Sequence, residues 1–357
     1  MNPRTFPLNA APERRGGEYV IYWAQANRRV EANHALLYAA EAANRLRLPL
    51  VYYEFLACDD PHANVRQHTF ILEGVPETAR RLREAGVGHV FHLLRRTGEP
   101  PDSLYSLAAK AALVVTDDYP AAATRRYNET IPAALEVSCV AVDSSCIVPM
   151  RLLEKREWAA YSIRPKIHRL LPQYLKPLPP LHLARRWEMP PPPFHTEVSE
   201  SRIHALAAEC QIDHSVAPSL SFRGGRLEAE KRLRHFLEHN LRRYASERNQ
   251  PAAHATSNLS PYLHHGHISA LEIALAARRH AAEHKLIADE FLEELIVRRE
   301  LAFNFTLHTP HYDSLEALPG WARQTLLKHA ADRRSPCYSR EDFERARTHD
   351  PLWNATQ

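Results

Sequence analysis

Along the first half of the chain, short apolar runs alternate with stretches whose apolar positions recur every three or four residues. Tyr19–Trp23 (YVIYW), Leu50–Phe55, His89–Leu94, Ala112–Thr116 and Cys139–Val142 read as strands. Ala32–Arg47, Val65–Ala85, Pro101–Ala111 and Ala121–Leu135 read as the helices between them, the second stopped at Gly86. Strand–helix alternation of this length predicts a parallel, Rossmann-like α/β sheet of five strands over residues 17–149, with helices on both faces. Residues 1–16 are polar and carry no such pattern, and are expected to form a flexible arm.

From residue 150 to 225 the periodicity breaks down. Prolines at 177, 179, 180 and 190–193 stiffen the chain and interrupt ladders, so a long connector is expected, with one helix starting at Pro165. Helical spacing returns after Gly224-Gly225. Arg226–Arg248 places Leu233, Phe236, Leu237, Leu241 and Tyr244 on one stripe. Ile268–Lys285, Ala288–Phe303 and Pro319–Ala330 follow, so residues 226–357 are expected to be all-α.

Composition changes this picture little. Hydrophobic residues make up 45% of the 357, enough for a sizeable core, and the net charge of +4 with a pI near 8.8 is compatible with a nucleic-acid partner without requiring one. Five scattered cysteines form no C-x-x-C pair, which points to a reducing, cytoplasmic setting without disulfides or a zinc cluster. No apolar run is long enough to cross a membrane.

Candidate chemistry sits mainly in the second half. Thr256-Ser257-Asn258-Leu259-Ser260-Pro261 reads as a turn opening a helix, with Ser260 as its cap and Pro261 as its first residue. Hydroxyls beside free backbone N–H groups at a helix start suit a phosphate or diphosphate, although an ordinary capped helix has the same spacing. In Asp289–Leu301, Glu290 with Glu294 and Glu294 with Arg298 are four apart, which reads either as acid/base machinery or as a salt-bridge network. The His264, His265, His267 cluster lacks a carboxylate at metal-ligand spacing, so no metal is expected. In the first half, Gly86-Val87-Gly88 ends a helix and lacks the third glycine of a dinucleotide fingerprint. The loop after the first strand carries Arg28 and Arg29, with Asn33 as the next helix cap; it is either a site rim at the sheet's carboxyl edge or a basic loop.

Several stretches in this order resemble one family. ERRGGEYVIYW from Glu13, Asn33-His34-Ala35-Leu36, RPKIHRLL from Arg164, TSNLSPYLHHG from Thr256, EELIVRREL from Glu293, Tyr312–Glu316 and Thr348–Asn354 together resemble the photolyase/cryptochrome flavoproteins, most closely the class II cyclobutane pyrimidine dimer photolyases. The resemblance implies an α/β domain, a linker and a helical FAD domain, and light-driven repair of dimers flipped out of damaged DNA. A monomer is expected, as is an antenna chromophore such as a deazaflavin in the α/β domain. The resemblance puts Tyr244 and Thr256, Ser257, Asn258, Leu259 and Ser260 around the FAD diphosphate and ribityl chain. It puts Glu294, Arg298 or Arg299, and Asn304 near the flavin or lesion pocket, and makes Trp353 a member of the electron-transfer wire. Two departures stand out. His265 replaces the phenylalanine of the family's F-G pair, and family members continue past Trp353-Asn354, which implies a pocket lacking one wall. The other reading is therefore a non-repairing flavin- or nucleotide-binding or signalling protein on a truncated photolyase scaffold.

Overall fold

The apolar runs build a sheet because side chains on both faces are buried. β2 (Tyr19–Trp23), β3 (Leu50–Leu56) and β5 (Ala111–Asp117) are buried along their whole length. Tyr19, Ile21 and Trp23 point to one core, and Val20 and Tyr22 to another. With β1 (Thr5–Pro7), β4 (Gly88–Leu93) and β6 (Cys139–Val142), the order is β1-β6-β5-β2-β3-β4. The expectation of five parallel strands is corrected to a mixed sheet of six. β1 pairs antiparallel with β6, from Thr5 opposite Val142 to Pro7 opposite Val140.

That sixth strand comes from the segment expected to be a flexible arm. Arg4 is buried and donates to the carbonyls of Asp143, Cys146 and Ile147, at 3.2, 2.8 and 2.6 Å. The Asn9 side-chain amide donates to the carbonyls of Pro132 and Val137. Long-range polar contacts order a stretch that has no hydrophobic period of its own.

Helices α1 (His34–Leu46), α2 (Val65–Glu84), α3 (Asp102–Ala108) and α4 (Ala122–Thr130) cover the sheet. The computed structural model describes residues 2–357. Among them, no helix is long and apolar enough to cross a membrane.

The connector holds α5 (Ala160–Tyr174) and α6 (Ile203–Ala208). α5 begins five residues before the expected start, with Pro165 inside it. The proline-rich stretch covers the free edge of β4: Thr196 N donates to Phe91 O at 2.7 Å, and Phe91 N to His195 Nδ1 at 3.1 Å. An exposed strand edge invites pairing with another chain, and this strap closes it.

The helical part comprises α7 (Arg226–His235), α8 (Tyr244–Glu247), α9 (Ser260–His264), α10 (Ala270–His284), α11 (Asp289–Leu292) and α12 (Arg299–Leu307). The chain divides into two compact units, one running through His308 and the other Thr309–Gln357. The first contains the sheet and α1 to α12. Within it, Glu300 reaches from α12 to accept Ile147 N at 2.7 Å and Val148 N at 3.2 Å. Arg226, buried at the start of α7, pairs with Glu31, Glu230 and Glu272. The second unit contains α13 (Gly320–Lys328), α14 (Arg340–Glu344) and α15 (Pro351–Thr356).

Candidate functional site

The elbow at residues 255–260 is held from below and open above. Ala255 and Leu259 are buried, whereas Thr256, Asn258 and Ser260 are exposed and Ser257 is half-buried. Asn240 and Arg243 grip the approach, donating to His254 O at 3.1 Å and Ala253 O at 2.7 Å. Asn258 adopts a left-handed backbone with φ 54°, which turns the chain sharply. Among the described residues, the one side-chain bond within the elbow joins Thr256 Oγ1 to Asn258 Oδ1, at 3.5 Å.

One expectation changes here. Leu259, not Ser260, occupies the cap position; Ser260 and Pro261 are the first two helical residues, and no side chain caps the helix. α9 is also only five residues long, so little macrodipole accumulates. Any anion affinity at the elbow must come from its uncommitted hydroxyl and amide groups.

Beside this lies an aromatic and charged wall. Tyr244 packs edge-on against Phe236 and Phe291, with ring centroids 5.7 and 5.4 Å apart. The Arg248 guanidinium lies over the Tyr244 ring at 5.6 Å and donates to Glu294 Oε1 at 2.7 Å. Arg248, Glu294 and Arg298 line a groove of about 800 Å³, together with Arg164, His168 and Arg278.

The ion pairs differ from the helical spacing read from sequence. Glu293–Arg298 is a π-helical turn, and Phe236–Asn240 is another. A π turn closes bonds five residues apart, so partners shift by one position. Arg298 therefore faces Glu293 at 3.4 Å, and Glu294 pairs with Arg248 in place of Arg298. Hydrogen bonding from Arg164 holds the Glu293 carboxyl below the usual range.

Two candidates lie elsewhere. Arg299 turns toward the sheet's loops, donating to Ser145 O at 2.6 Å and stacking over Phe303. Asn304 is buried and bridges the connector: it donates to Lys155 O at 3.0 Å and accepts Glu157 N at 2.6 Å. Neither lines the groove. Trp353 belongs to the second unit, where its ring meets Phe343 edge-on at 5.2 Å and is 43% exposed. Asp350 caps its helix by accepting Leu352 N and Trp353 N.

The carboxyl edge of the sheet forms a second concavity. Sequence spacing gave no hint of its organiser, Asp117. This fully buried carboxylate accepts Gln25 N, Ala26 N and Asn27 N on Oδ2, and Tyr22 OH and Asn27 Nδ2 on Oδ1. Asn33 caps α1 as expected, accepting Ala35 N and Leu36 N. Arg29 is buried and donates to Ser144 O, so it is not a rim group. Arg28 does line a cleft of about 190 Å³, with Trp23, Phe55, Tyr127, His264 and His265.

Gly266 lets the elbow's helix press onto this loop. A Cβ there would strike the Ala26 carbonyl oxygen, and its φ of 74° favours glycine. His265 packs on Phe70 at 5.3 Å. Burial, aided by His264, His267 and Arg28, drives its pKa well below the ordinary value, so it is neutral and fills an aromatic position as an aromatic.

Comparison with known proteins agrees with this architecture. Residues 20–183 match the DNA photolyase family model. The chain is 38% identical to the deoxyribodipyrimidine photo-lyase of Methanothermobacter thermautotrophicus over 348 residues, covering 96% of this chain and 73% of that protein. The chain belongs to the DNA photolyase family.

It is also 34% identical over 344 residues to the deoxyribodipyrimidine photo-lyase of Potorous tridactylus, covering 94% of this chain and 62% of that protein. Among solved structures, it is similar to a class III photolyase from Agrobacterium tumefaciens, with a TM-score of 0.67 at 20% identity, covering 96% of this chain and 68% of that one. It is similar, too, to an archaeal photolyase from Sulfolobus tokodaii that contains two FAD molecules, with a TM-score of 0.61 at 17% identity, covering 94% of this chain and 69% of that one.

Proposed function

We propose that this chain performs light-driven repair of cyclobutane pyrimidine dimers in DNA, with FAD held at the Thr256–Ser260 elbow. The observation that carries the reading is the elbow itself. In this photolyase-family chain, its donors are exposed and almost uncommitted to protein, and that donor set fits a diphosphate and a ribityl chain.

Thr256, Ser257, Asn258 and Ser260 would hold the cofactor's polar middle. Leu259 and Ala255 would keep the turn seated on the core. Tyr244, Phe236 and Phe291 keep the wall behind Arg248 and Glu294 dry. The Arg248–Glu294 pair holds both heads at the groove, and Arg298, which lines it where Arg299 does not, is the arginine proposed to meet a ligand there. FAD would supply light-driven electron donation, which no side chain can provide. Trp353 is proposed as part of an electron relay. Exposed arginines at 234, 242, 278 and 298 would meet DNA phosphates.

For a second chromophore we propose the Trp23–Tyr127 cleft. At about 190 Å³ it is below the ~300–1,000 Å³ of ordinary ligand pockets. A tricyclic deazaflavin therefore enters only if the cleft widens. An additional absorbance band in the purified protein, beyond that of FAD, would support that occupant.

The test of the main reading is direct. The purified chain, incubated with FAD and freed of excess, should remain yellow and should reverse dimers in an irradiated oligonucleotide under blue light. Its DNA affinity should fall steeply as salt rises. A colourless protein after loading, with dimers intact after illumination, would end the proposal.

A further inference from the structure

Near the sheet's carboxyl edge, three elements far apart in sequence bring their chemistry to one point. Cys58 follows β3, His68 lies in the first turns of α2, and Cys210 follows α6 in the connector. All three are buried, at 5%, 2% and 3% exposure, and their ligand atoms lie within 4.8 Å of one another. Neither ring nitrogen of His68 forms a hydrogen bond of ordinary geometry, though the Asn64 backbone lies close enough to act on the ring; that is a costly state for a buried imidazole. We propose that Cys58, His68 and Cys210 form a zinc site that staples the connector to the edge of the sheet.

The donor set selects the metal class. Two thiolates and an imidazole match zinc's usual nitrogen and sulfur ligands, whereas magnesium and calcium require oxygens. Charge also fits. Zinc with two thiolates and a neutral imidazole carries no net charge, so it can sit among Leu56, Ile71, Phe91 and Leu206 without a large desolvation cost. Loading is not a redox step. Each thiol gives up its proton to water, two protons leave per metal, and two Zn–S bonds and one Zn–N bond form.

Tetrahedral ligands at ~2.3 Å from sulfur and ~2.0 Å from nitrogen would stand somewhat closer together than the 4.8 Å limit. Side-chain rotation would have to supply that closure. At present the thiols rest against carbonyl oxygens, Cys58 on Leu94 and Cys210 on Leu206. His214 bonds the carbonyl of Cys210 at 2.9 Å and so holds the turn that presents the thiol. His68 also lines the 190 Å³ cleft, from which an ion and a water for its fourth position would reach the site. The proposal stands against the expectation that the scattered cysteines form no zinc cluster. With 9 residues between Cys58 and His68 and 141 between His68 and Cys210, no spacing rule could have found it.

The full chain carrying Cys337→Ser, which removes the exposed thiol, should be stripped with chelator, reduced, and titrated with cobalt(II) and then zinc. One equivalent of cobalt should produce a thiolate-to-metal charge-transfer band, and zinc should abolish it. Cys58→Ser and Cys210→Ser should each lose about half of the band and weaken zinc binding at least tenfold. His68→Ala should weaken binding while keeping the band. If these variants fail to fold, the parent protein still decides: zinc should raise its melting temperature and protect Cys58 and Cys210 from alkylation. No saturable band, a band of undiminished intensity in both cysteine variants of folded protein, or no zinc protection would overturn the site.

Discussion

Two turns of this molecule, one packed on Gly266 at the end of α9 and the other opening that helix, treat their polar groups in opposite ways. In the loop after β2, the main polar groups are committed to protein: Asp117 gathers three backbone N–H groups, Asn33 caps α1, and Arg29 donates to buried carbonyls, although Gln25 Oε1 and Arg29 Nε stay unpartnered. In the Thr256–Ser260 elbow, the side-chain donors face solvent with one weak bond among them. The first turn's polar groups hold the fold together, and the second's, left to solvent, are the ones proposed above to bind a ligand. Mutations should therefore separate the two in kind as well as in size.

The largest effect is expected at the committed turn. Asp117→Ala strands three backbone donors together with Tyr22 OH and Asn27 Nδ2 in a buried place. Urea denaturation should show a loss of about 3–5 kcal/mol, as for breaking one side of a buried charged network. A loss under about 1 kcal/mol would mean that the loop repairs itself with water and that its commitment is not structural.

A second, smaller effect tests how the helical part is joined to the loop before the connector. Burial raises the Glu300 pKa to about 8 from an ordinary 4.5. A carboxyl with a raised folded-state pKa contributes full stability below its unfolded pKa. That contribution fades as pH climbs from about 4.5 through about 8, because only the unfolded chain can ionise freely in that window. Glu300→Gln keeps an acceptor for Ile147 N and Val148 N and cannot ionise. It should match the wild type near pH 4.5 and exceed it by up to roughly 3 kcal/mol above pH 8. Parallel stability curves for the two proteins would show that the carboxyl is not desolvated.

The contrast between the two turns also explains what could be read from residues alone. The central strands were legible because both faces are buried, and a run such as Tyr19–Trp23 has few other readings. Asn33 was legible because capping is local. β1 was not, since Thr-Phe-Pro has no period and its partner lies over 130 residues away. The π-helical turns were not either, because a 3.6-residue period was assumed, and this misassigned the partner of Glu294. Asp117 and the Cys58, His68, Cys210 group escaped for the same reason: their meaning arises only when distant segments meet. The elbow stood out because its side-chain donors are concentrated within one short stretch.

At the elbow itself the effect should fall on the ligand. Ser257→Ala with Ser260→Ala removes two hydroxyls that bond nothing in the protein, so folding stability should stay within about 0.5 kcal/mol of wild type. FAD affinity, measured by flavin fluorescence quenching, should weaken by about 2 kcal/mol, roughly thirtyfold. Unchanged affinity would remove the hydroxyls from the site, and a large loss of stability would erase the contrast with the Asp117 loop.

The smallest effect is expected where the end of α9 meets the loop after β2. His265 packs on Phe70 and stands beside His264, with Arg28 and His267 close enough to oppose its protonation. At neutral pH it is an uncharged aromatic, so His265→Phe should change stability by less than about 1 kcal/mol at pH 7.5, as for a near-isosteric swap. In acid the two proteins should diverge. A histidine whose folded pKa lies below its unfolded value costs stability as pH falls below about 6.5, because the unfolded chain takes up a proton that the folded chain refuses. His267, with a pKa of about 3 from burial, imposes the same trend on both proteins, so the difference between them isolates position 265. The phenylalanine variant should tolerate pH 5 better than the wild type in thermal melts. Equal melting temperatures at pH 5 would mean that His265 protonates freely in the fold, and that this end of α9 is wetter than its packing on Phe70 indicates.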